Sequence, residues 1–392
     1  MNRFLALLLL ASLALAGCGK SPDAKPGGDA GGGRKPVIAF LPKSRGNAYF
    51  VSCKKGADKA AKELGLDLIF DAPSNPDPAK QNEIIETWIT MGVDAIAAAC
   101  ENGEGISTAL RKARAKGIKV ITFDADALPD ARDFFVNQAT EQGIGHAVMD
   151  EAARLAGSEG EFALIVGSVT AANQIAWRKH IEARLAEKYP KMKLVAVRPC
   201  DDQKDKAQSE ATTLLSAYPK LKLIASITSL GVPGAAEAIK QAGKVGQVKN
   251  IGLGLPNENK RYVMEGVTET VILWKTEDLG YLTVQAAYAA AMGQLKAGDK
   301  TLKAGAVGEI EIQGDNIVLS WIANPDHTPF NVYRSGDLSG SYTNIGSSNT
   351  LSYTDVGAVS ASPKQFYYVT VDAPAFSTFR LPMASEAPPP KW

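Results

Sequence analysis

From residue 36 onward, apolar and polar positions follow two rhythms that alternate along the chain. Short apolar runs, typical of buried strands, are followed by longer segments in which apolar residues recur at helical spacing. The strand-like runs are residues 37–41, 66–70, 95–99 and 118–123, and the helix-like segments are residues 48–64, 78–91 and 106–116. The pattern therefore predicts a repeated strand-helix unit.

Glycine marks the junctions between these units. Gly65, Gly92 and Gly117 stand at the ends of the three predicted helices, and apolar or β-branched residues follow each of them. Glycine adopts the left-handed conformation that stops a helix, so each junction predicts a helix end and a strand start. Repeated units of this kind imply a parallel, doubly wound sheet with right-handed crossovers.

A second series of alternating segments begins after Phe134. Its predicted helices are residues 143–156, 173–188, 207–216, 232–241, 258–265 and 278–292, and its strands are residues 161–166, 194–197, 221–227, 251–253 and 270–273. The two series are too long for one sheet, so we predict two similar lobes with a cleft between them. The first lobe takes residues 36–137 and 275–305, and the second takes residues 138–274. Residues 308–319 are either the last strand of the second lobe or the start of the next domain.

The pattern changes near Gly308 to short strands separated by frequent turns. The predicted strands are residues 317–321, 330–333, 342–345, 351–354 and 366–371, which indicate a small β-sandwich over residues 315–382. Leu319-Ser-Trp321, Val332-Tyr-Arg334 and Phe366-Tyr-Tyr-Val-Thr370 resemble fibronectin type III modules. The tail, residues 383–392, is expected to be extended or disordered because it contains consecutive prolines. The predicted fold class is thus α/β, with two Rossmann-like doubly wound lobes and a small C-terminal β-sandwich.

The N-terminus has the pattern of a targeting segment. Arg3 precedes an apolar run, residues 4–14, that is too short to span a membrane. Leu15-Ala-Gly-Cys18 resembles a bacterial lipobox, which implies that residues 1–18 are a lipoprotein signal peptide and that Cys18 is lipidated. An ordinary signal peptide with an incidental cysteine is the alternative. Residues 19–35 are rich in Gly, Pro, Ser, Asp and Lys, which predicts a flexible tether. The lipobox resemblance implies a lipid-anchored protein of the periplasm or cell envelope.

Composition narrows the range of partners. Of 392 residues, 45% are hydrophobic and 22% charged, and the formal net charge is +1, so no basic block favours nucleic acid. Cys53, Cys100 and Cys200 remain besides the lipobox cysteine, and they lack zinc-ligand spacing, so we expect neither a metal site nor a cofactor. Buried free thiols are expected, with a disulfide between two of them as the alternative.

Two carboxylates, Asp124 and Asp126, follow directly after the strand at residues 118–123. Ligands of a parallel α/β sheet bind just past the carboxyl ends of its strands. Other residues, most of them polar or aromatic, lie at or near the ends of the other strands: Lys43, Tyr49, Phe50, Asn102, Asn173, Gln174, Trp177, Pro233, Ala235, Asn257 and Trp274. Acids, amides and lysine bond hydroxyl groups, while flat rings cover the C–H faces of a sugar, so these residues predict a sugar-binding cleft.

Structural roles compete with this interpretation at several positions. The alternative roles of Asp124 and Asp126 are to cap the following segment or to pair with Arg111 or Arg132, and Asn173 stands where a helix N-cap is expected. Trp177 and Trp274 are also suited to plain core packing and hinge packing, respectively. These alternatives stay open at the level of sequence.

Six segments together resemble the periplasmic sugar-binding family of ribose-binding type, nearest its autoinducer-2 and rhamnose branch. They are Phe40-Leu-Pro-Lys-Ser-Arg-Gly-Asn-Ala-Tyr-Phe50, Ile121-Thr-Phe-Asp-Ala-Asp126, Phe135-Val-Asn-Gln138, Asn173-Gln-Ile-Ala-Trp177, Gly231-Val-Pro-Gly-Ala235 and Pro256-Asn257. The resemblance covers about residues 37–318 and implies a bilobed periplasmic-binding fold. It implies autoinducer-2-type contacts from Lys43, Asp124, Asn173, Gln174, Pro233 and Ala235, the last two through the main chain. The pattern has an acid where Asn173 stands, so a deoxysugar or a pentose is at least as well favoured as autoinducer-2.

The function that the resemblance implies is capture of a monosaccharide for an ABC importer, by lobes that close on the ligand and dock on the permease. Delivery of a sugar signal to a chemoreceptor or sensor kinase is the alternative. Asp124-Ala-Asp126 also resembles the metal motif of glycosyltransferases. Activated nucleotide sugars are not expected outside the cytoplasm, and side-by-side acids cannot flank a glycosidic bond. We therefore expect a binding protein and not an enzyme.

Overall fold

The computed structural model describes residues 34–313 and four strands farther along the chain, at residues 316–318, 330–335, 343–348 and 366–371. The predicted signal peptide with Cys18, nearly all of the predicted tether and the tail at residues 383–392 lie outside the described residues. In the described part, no helix combines the length and the apolar character needed to cross a membrane.

Strands and helices alternate from β1 to α9, as the hydrophobic pattern predicts. The strands are β1 (Val37–Leu41), β2 (Asp67–Phe70), β3 (Ala95–Ala98), β4 (Lys119–Phe123), β5 (Phe134–Asn137), β6 (Gly160–Val166), β7 (Met192–Pro199), β8 (Leu221–Ser226), β9 (Lys249–Leu253), β10 (Thr270–Ile272), β11 (Thr301–Lys303), β12 (Glu309–Gln313), β13 (Asn316–Val318), β14 (Phe330–Ser335), β15 (Thr343–Ser348) and β16 (Phe366–Val371). The helices are α1 (Ala48–Leu64), α2 (Pro78–Met91), α3 (Gly103–Ala115), α4 (Glu141–Ala156), α5 (Ala172–Lys188), α6 (Lys204–Ala217), α7 (Gly231–Gln241), α8 (Pro256–Met264) and α9 (Thr276–Ala291).

Glycine ends the first helices as predicted. Gly65 and Gly92 cap α1 and α2 in the left-handed conformation, with φ of 66° and 68°. Helix α3 ends at Lys116, one residue before Gly117, whose φ is 84°. A side chain would be strained at these positions, so glycine separates each helix from the next strand.

The sheet of the first lobe has the order β11-β12-β13-β5-β4-β3-β1-β2. Its main strands are parallel, and β11, β12 and β13 form an antiparallel extension whose last strand pairs in parallel with β5. The sequence left residues 308–319 either to the second lobe or to the sandwich, and both assignments differ from the structure. Residues 309–313 and 316–318 add strands to the first lobe, where β5 otherwise leaves an open edge.

The sheet of the second lobe has the order β10-β9-β8-β6-β7 and is parallel throughout. In both lobes the chain moves outward in one direction and then returns to the other side of its first strand, which is the doubly wound pattern. The prediction of two parallel α/β lobes is therefore confirmed. The direction changes between β1 and β3 in the first lobe and between β6 and β8 in the second, which is where such sheets bind ligands.

Alternate residues of β1 pack on opposite faces of the first sheet. Ile38 and Phe40 join the core with α1 and α9, whereas Ala39 and Leu41 join the core with α2 and α3. Helices α1 and α9 cross closely because glycine stands at the contact. A Cβ atom on Gly280 would lie 1.8 Å from the Cys53 carbonyl oxygen, so no larger residue fits this crossing.

Strands β14, β15 and β16 form a three-stranded antiparallel sheet in the order β15-β14-β16. Three of the predicted sandwich strands overlap these elements, and the predicted strand at residues 351–354 lies outside the described residues. The predicted strand at residues 317–321 begins in β13 and so belongs in part to the first lobe. The fibronectin type III-like sandwich stays a prediction.

Candidate functional site

A cavity of about 50 Å³ lies between the two lobes at the carboxyl ends of their strands. Predicted ligand-binding residues from both lobes line it: Lys43, Tyr49, Phe50, Asp124, Asn173, Gln174, Trp177 and Trp274. The structure thus brings together most of the predicted site. It also adds residues to the lining that the sequence interpretation did not select, namely Asn47, Asp202, Ile227, Thr228, Ser229, Leu253, Gly254 and Leu273.

Lys43 follows β1 and is 2% exposed. Its Nζ donates to Oδ1 of Asn173 at 3.2 Å and lies 3.8 Å from Oε2 of Glu101. Burial raises the pKa of Glu101, and the nearby ammonium opposes that rise. Lys43 therefore connects an acid of the first lobe to an amide of the second across the cleft.

Asp124 directly follows β4 and has a φ of 60°, which is uncommon for a residue with a side chain. Its Oδ1 accepts from the Tyr49 hydroxyl at 2.9 Å and from Nε2 of Gln138 at 3.2 Å, and its Oδ2 accepts from Nδ2 of Asn173 at 3.4 Å. Burial raises the pKa of Asp124 above its ordinary value, while Lys43 and Tyr49 hold it down. A buried carboxylate is costly without such partners, and these donors offset that cost.

Aromatic rings form the apolar walls of the cavity. Tyr49 and Trp274 meet edge to face with centroids 5.9 Å apart, and Trp177 lies 6.0 Å from Trp274. Trp274 Nε1 donates to the Tyr49 hydroxyl at 2.8 Å, and this hydrogen bond fixes the orientation of the indole ring. Phe50 packs edge to face on Tyr49 at 5.1 Å. Such rings can cover the C–H faces of a polyhydroxylated ligand.

Asn173 and Gln174 lie in the first turn of α5, and Ala171 is the N-cap. The alternative role of Asn173 as N-cap is therefore wrong. Gln174 Oε1 accepts from the backbone N–H of Gly167 at 2.6 Å, which fixes the amide beside the end of β6. Both side chains are buried and line the cavity.

Asp126 and Asn102 were predicted site residues, but the structure places neither in the cavity lining. The guanidinium of Arg132, which is 4% exposed, donates to both carboxylate oxygens of Asp126 at 2.7–3.1 Å. Asn102 is the N-cap of α3, and its Oδ1 accepts from Gly105 N at 2.9 Å. A buried guanidinium needs a carboxylate, and a helix start needs an acceptor, so both side chains have structural partners.

Pro233, Ala235 and Asn257 also lie outside the cavity lining. Pro233 and Ala235 are buried within α7, where Ala235 joins the hydrophobic core of the second lobe. Asn257 is exposed in the first turn of α8. The turn before α7 lines the cavity and α7 itself does not, and main-chain ligand contacts from Pro233 and Ala235 stay a prediction.

That turn contains Thr228 and Ser229, which the sequence interpretation passed over. They follow β8 by two and three residues, so the strand-end rule could have identified them. Asn47 caps α1, and its Nδ2 donates to the Ser229 hydroxyl at 3.1 Å, which adds a further polar contact between the lobes to those of Asn173 with Lys43 and Asp124. Asp202, just past β7, carries the same strand-end signal.

The thiols take no part in this site. Cys53, Cys100 and Cys200 are free and buried, and burial raises the pKa of each, that of Cys200 to about 12. They therefore stay protonated and unreactive at neutral pH. Among the residues that the structure describes, no three His, Cys, Asp or Glu side chains are grouped so as to hold a metal ion.

Two parallel α/β lobes with a polar, aromatic-walled cleft at the carboxyl ends of both sheets define a bilobed binding protein. The chain belongs to the periplasmic binding protein domain family, whose model matches residues 38–295. Membership in this family implies a location outside the cytoplasm.

Named relatives agree with this assignment. The D-allose-binding periplasmic protein of Escherichia coli is 30% identical over 245 residues, 59% of this chain and 78% of that protein. The ribose import binding protein of Bacillus subtilis is 27% identical over 290 residues, 73% of this chain and 92% of that protein. Both relatives are binding proteins and not enzymes, and the present chain is likewise a binding protein.

Solved structures show the same fold over nearly three quarters of the chain. A solute-binding protein of an ABC transporter from Clostridium phytofermentas, with bound L-rhamnose, aligns with a TM-score of 0.70 at 28% identity, covering 73% of this chain and 94% of that one. LsrB from Clostridium saccharobutylicum, in complex with AI-2, aligns with a TM-score of 0.69 at 25% identity, covering 72% and 95%.

Proposed function

We propose that this chain captures a monosaccharide between its lobes and delivers it to an ABC importer. The observation that carries the proposal is the polar network of Lys43, Asn173 and Asp124, which joins both lobes between aromatic walls. Each of these groups can bond a sugar hydroxyl, and the rings can cover the sugar's apolar faces. The sugars bound by the related proteins support the same ligand class.

Binding requires the lobes to move. The cavity of about 50 Å³ is much smaller than the roughly 300–1,000 Å³ typical of ligand pockets. Lys43 and Asn173 bond each other across the cleft, as do Asn47 and Ser229, so a sugar can enter only when these contacts separate. Hydroxyl groups of the ligand then replace the cross-lobe contacts, and the lobes close around the ligand by a hinge motion.

The ligand is a pentose, a deoxyhexose such as rhamnose, or a compound like autoinducer-2. The neutral Asn173 replaces the acid of the autoinducer-2 pattern, so the site residues do not favour autoinducer-2 over a pentose or a deoxyhexose. Lipidation at Cys18 would hold the protein at the membrane close to the permease, with residues 19–35 as the tether. A single lipid chain gives weak anchoring, so a second acyl group is expected on the same cysteine.

A thermal-shift screen of the full chain against L-rhamnose, D-ribose, D-allose, D-arabinose and autoinducer-2 tests the ligand class. A ligand present at 100 times its Kd stabilises the folded state by about 2.7 kcal/mol, which gives a clear rise in Tm. We expect a rise with at least one compound, retained in Asp126→Asn and lost in Asp124→Asn. No shift with any of the five compounds in well-folded protein overturns the proposal.

A further inference from the structure

Asp202 is the carboxylate that the second lobe contributes to the cavity lining, and Asp124 is the one contributed by the first. Asp202 stands three residues beyond β7, at the same edge of its sheet as Gln174. Among the described residues the other polar groups of the second lobe that line the cavity are neutral amides and hydroxyls. A charged acceptor therefore faces the cleft from each side.

The surroundings of Asp202 are built to hold this carboxylate in place. Its Oδ1 accepts from the Thr228 hydroxyl, and this bond leaves Oδ2 as an acceptor. A Cβ atom on Gly167 would lie 2.3 Å from Oδ1 of Asp202 and 2.9 Å from Nε2 of Gln174. Only glycine at position 167 leaves room for the carboxylate and the amide to lie side by side, an acceptor next to a donor.

The backbone at this point is held in an unusual conformation. Asp202 has a φ of 48°, and Asp201 has a φ of 50°. The turn is anchored on one side by Cys200, whose N–H donates to the Val166 carbonyl at 2.8 Å, and on the other by Gln203, whose N–H donates to the Cys200 carbonyl at 2.9 Å. This turn points the two acids differently, because Asp202 lines the cavity while Asp201 is exposed and pairs with Lys206.

No cation balances Asp202 in the described part of the chain, where its hydrogen-bond partner is a neutral hydroxyl. Its charge acts across the cleft, since it adds to the rise in pKa of both Asp124 and Glu101. Lys43 is the ammonium that lines the same cavity. Acceptors are thus in excess over cationic donors, and an excess of acceptors suits a ligand that brings several O–H donors.

We infer that Asp202 is a specificity-determining ligand contact, which accepts a ring hydroxyl of the bound sugar from the second lobe while Asp124 accepts a different hydroxyl from the first. This inference rests on the proposed function and extends it to a substrate class. The ligand is a monosaccharide with hydroxyl donors at two separate ring positions, one for each carboxylate. A sugar that lacks either hydroxyl leaves a carboxylate oxygen of the closed cleft without a partner and is rejected.

The test is a thermodynamic cycle between protein and ligand, measured by calorimetry on the full chain. The best ligand of the screen and its series of mono-deoxy analogues are titrated into wild type, D202N and D201N. Asparagine tolerates a left-handed backbone, so D202N keeps the turn while it removes the charge. D201N is the matched control, because Asp201 has the same backbone conformation but is exposed outside the cavity.

We expect D202N to bind the parent sugar about 10- to 100-fold more weakly than wild type, and D201N to match wild type. One deoxy analogue should bind wild type and D202N with the same affinity, because the hydroxyl that Asp202 accepts is already missing. A different deoxy analogue, which lacks the hydroxyl that Asp124 accepts, should bind wild type and D124N with the same affinity. If D202N fails to fold, D202G removes the carboxylate and suits the positive φ.

Each other outcome counts against a specific claim. If wild type binds a sugar and D202N binds it equally well, Asp202 is no ligand contact and the proposed function stands. If D202N loses the same factor with every analogue, its effect is on the shape of the lobe, which also overturns the inference. If folded wild type binds no sugar, the proposed function fails and the inference fails with it.

Discussion

Lys43 Nζ donates to Oδ1 of Asn173 at 3.2 Å, although 130 residues of chain separate the two. Lys43 follows the first strand of one lobe, and Asn173 lies in the first turn of a helix of the other. Both are at least 92% buried, so this bond is made in a site largely excluded from water. A ligand that enters the cleft must replace this contact on both sides.

Replacement of Lys43 by methionine should weaken sugar binding at least about tenfold and lower the unfolding free energy by about 1–3 kcal/mol. The change removes the cation that faces both Glu101 and Asp124 while it keeps the apolar length of the side chain. Calorimetry and urea unfolding measure the two effects. Lys54→Met is the control, because the exposed Lys54–Asp58 pair contributes only about 0.3–0.5 kcal/mol. Equal results for the two variants would contradict the central position of Lys43.

Tyr49→Phe removes a hydroxyl that donates to Asp124 and accepts from Trp274. The buried Asp124 and the half-buried Trp274 each lose a partner, so we expect a loss of about 1–3 kcal/mol in unfolding free energy together with weaker sugar binding. The difference in tryptophan fluorescence between wild type and Tyr49→Phe reports the change, because the indole N–H of Trp274 loses its acceptor while the other four tryptophans keep their surroundings. Tyr218→Phe is the control, in which the unfolding free energy, the sugar affinity and the tryptophan fluorescence should stay at wild-type values. An unchanged indole signal in Tyr49→Phe would show that the hydroxyl does not orient Trp274.

Asp126→Asn should separate stability from binding. Arg132 is buried against Asp126, and removal of one member of a buried ion pair costs about 3–5 kcal/mol. Asp126 does not line the cavity, so the affinity for sugar should stay within about twofold of wild type, measured well below the lowered Tm. Asp124→Asn should show the reverse pattern, with the larger loss in affinity. A tenfold loss of affinity in Asp126→Asn would restore Asp126 to the binding site.

Asp124 gives the protein a defined dependence on pH. Burial raises the pKa of Asp124 above 3.8, against the opposing effects of Lys43 and Tyr49, so the folded protein holds this proton more tightly than the unfolded chain does. The contribution of Asp124 to the unfolding free energy therefore falls as the pH rises from about 4 through the folded-state pKa. Sugar affinity should rise over the same window, because the ionised carboxylate is the better hydroxyl acceptor.

The comparison with Asp124→Asn isolates this effect from the other acids. Asp150 and Glu151, for example, have lowered pKa values and stabilise the protein as the pH rises. The dependence of the wild-type unfolding free energy on pH is therefore a sum of opposing contributions. The difference between wild type and variant in urea unfolding should become less favourable to the wild type as the pH increases. Parallel curves for the two proteins would show that Asp124 has the same pKa in the folded and unfolded states.

The hydrophobic pattern was sufficient to predict both lobes, because strand and helix periods differ and glycine marks the helix ends. It did not place residues 309–318. An apolar run of strand type satisfies any open sheet edge, and the choice of β5 depends on contacts far along the chain. The residues next to this strand in the sequence do not determine which strand it pairs with.

The strand-end rule found Lys43 and Asp124 but treated Asp124 and Asp126 alike. The structure separates them, since the left-handed turn at Asp124 directs one acid to the cleft and leaves the other beside Arg132. The same rule, applied to the end of β7, was sufficient to select Asp202. The packing of the two lobes determines which pairs of side chains meet across the cleft. A local sequence pattern therefore cannot predict these pairs.

Isothermal titration calorimetry on the full chain shows whether the cleft around Asp124 binds a sugar. The titrants are L-rhamnose, D-ribose, D-allose, D-arabinose and autoinducer-2, and the proteins are wild type and Asp124→Asn. We predict that at least one compound binds the wild type with a Kd of about 10 µM or tighter, and that the variant binds it at least about tenfold more weakly. Folded wild type that binds none of the five, or binding that Asp124→Asn leaves unchanged, would contradict the account of a sugar-binding cleft built around Asp124.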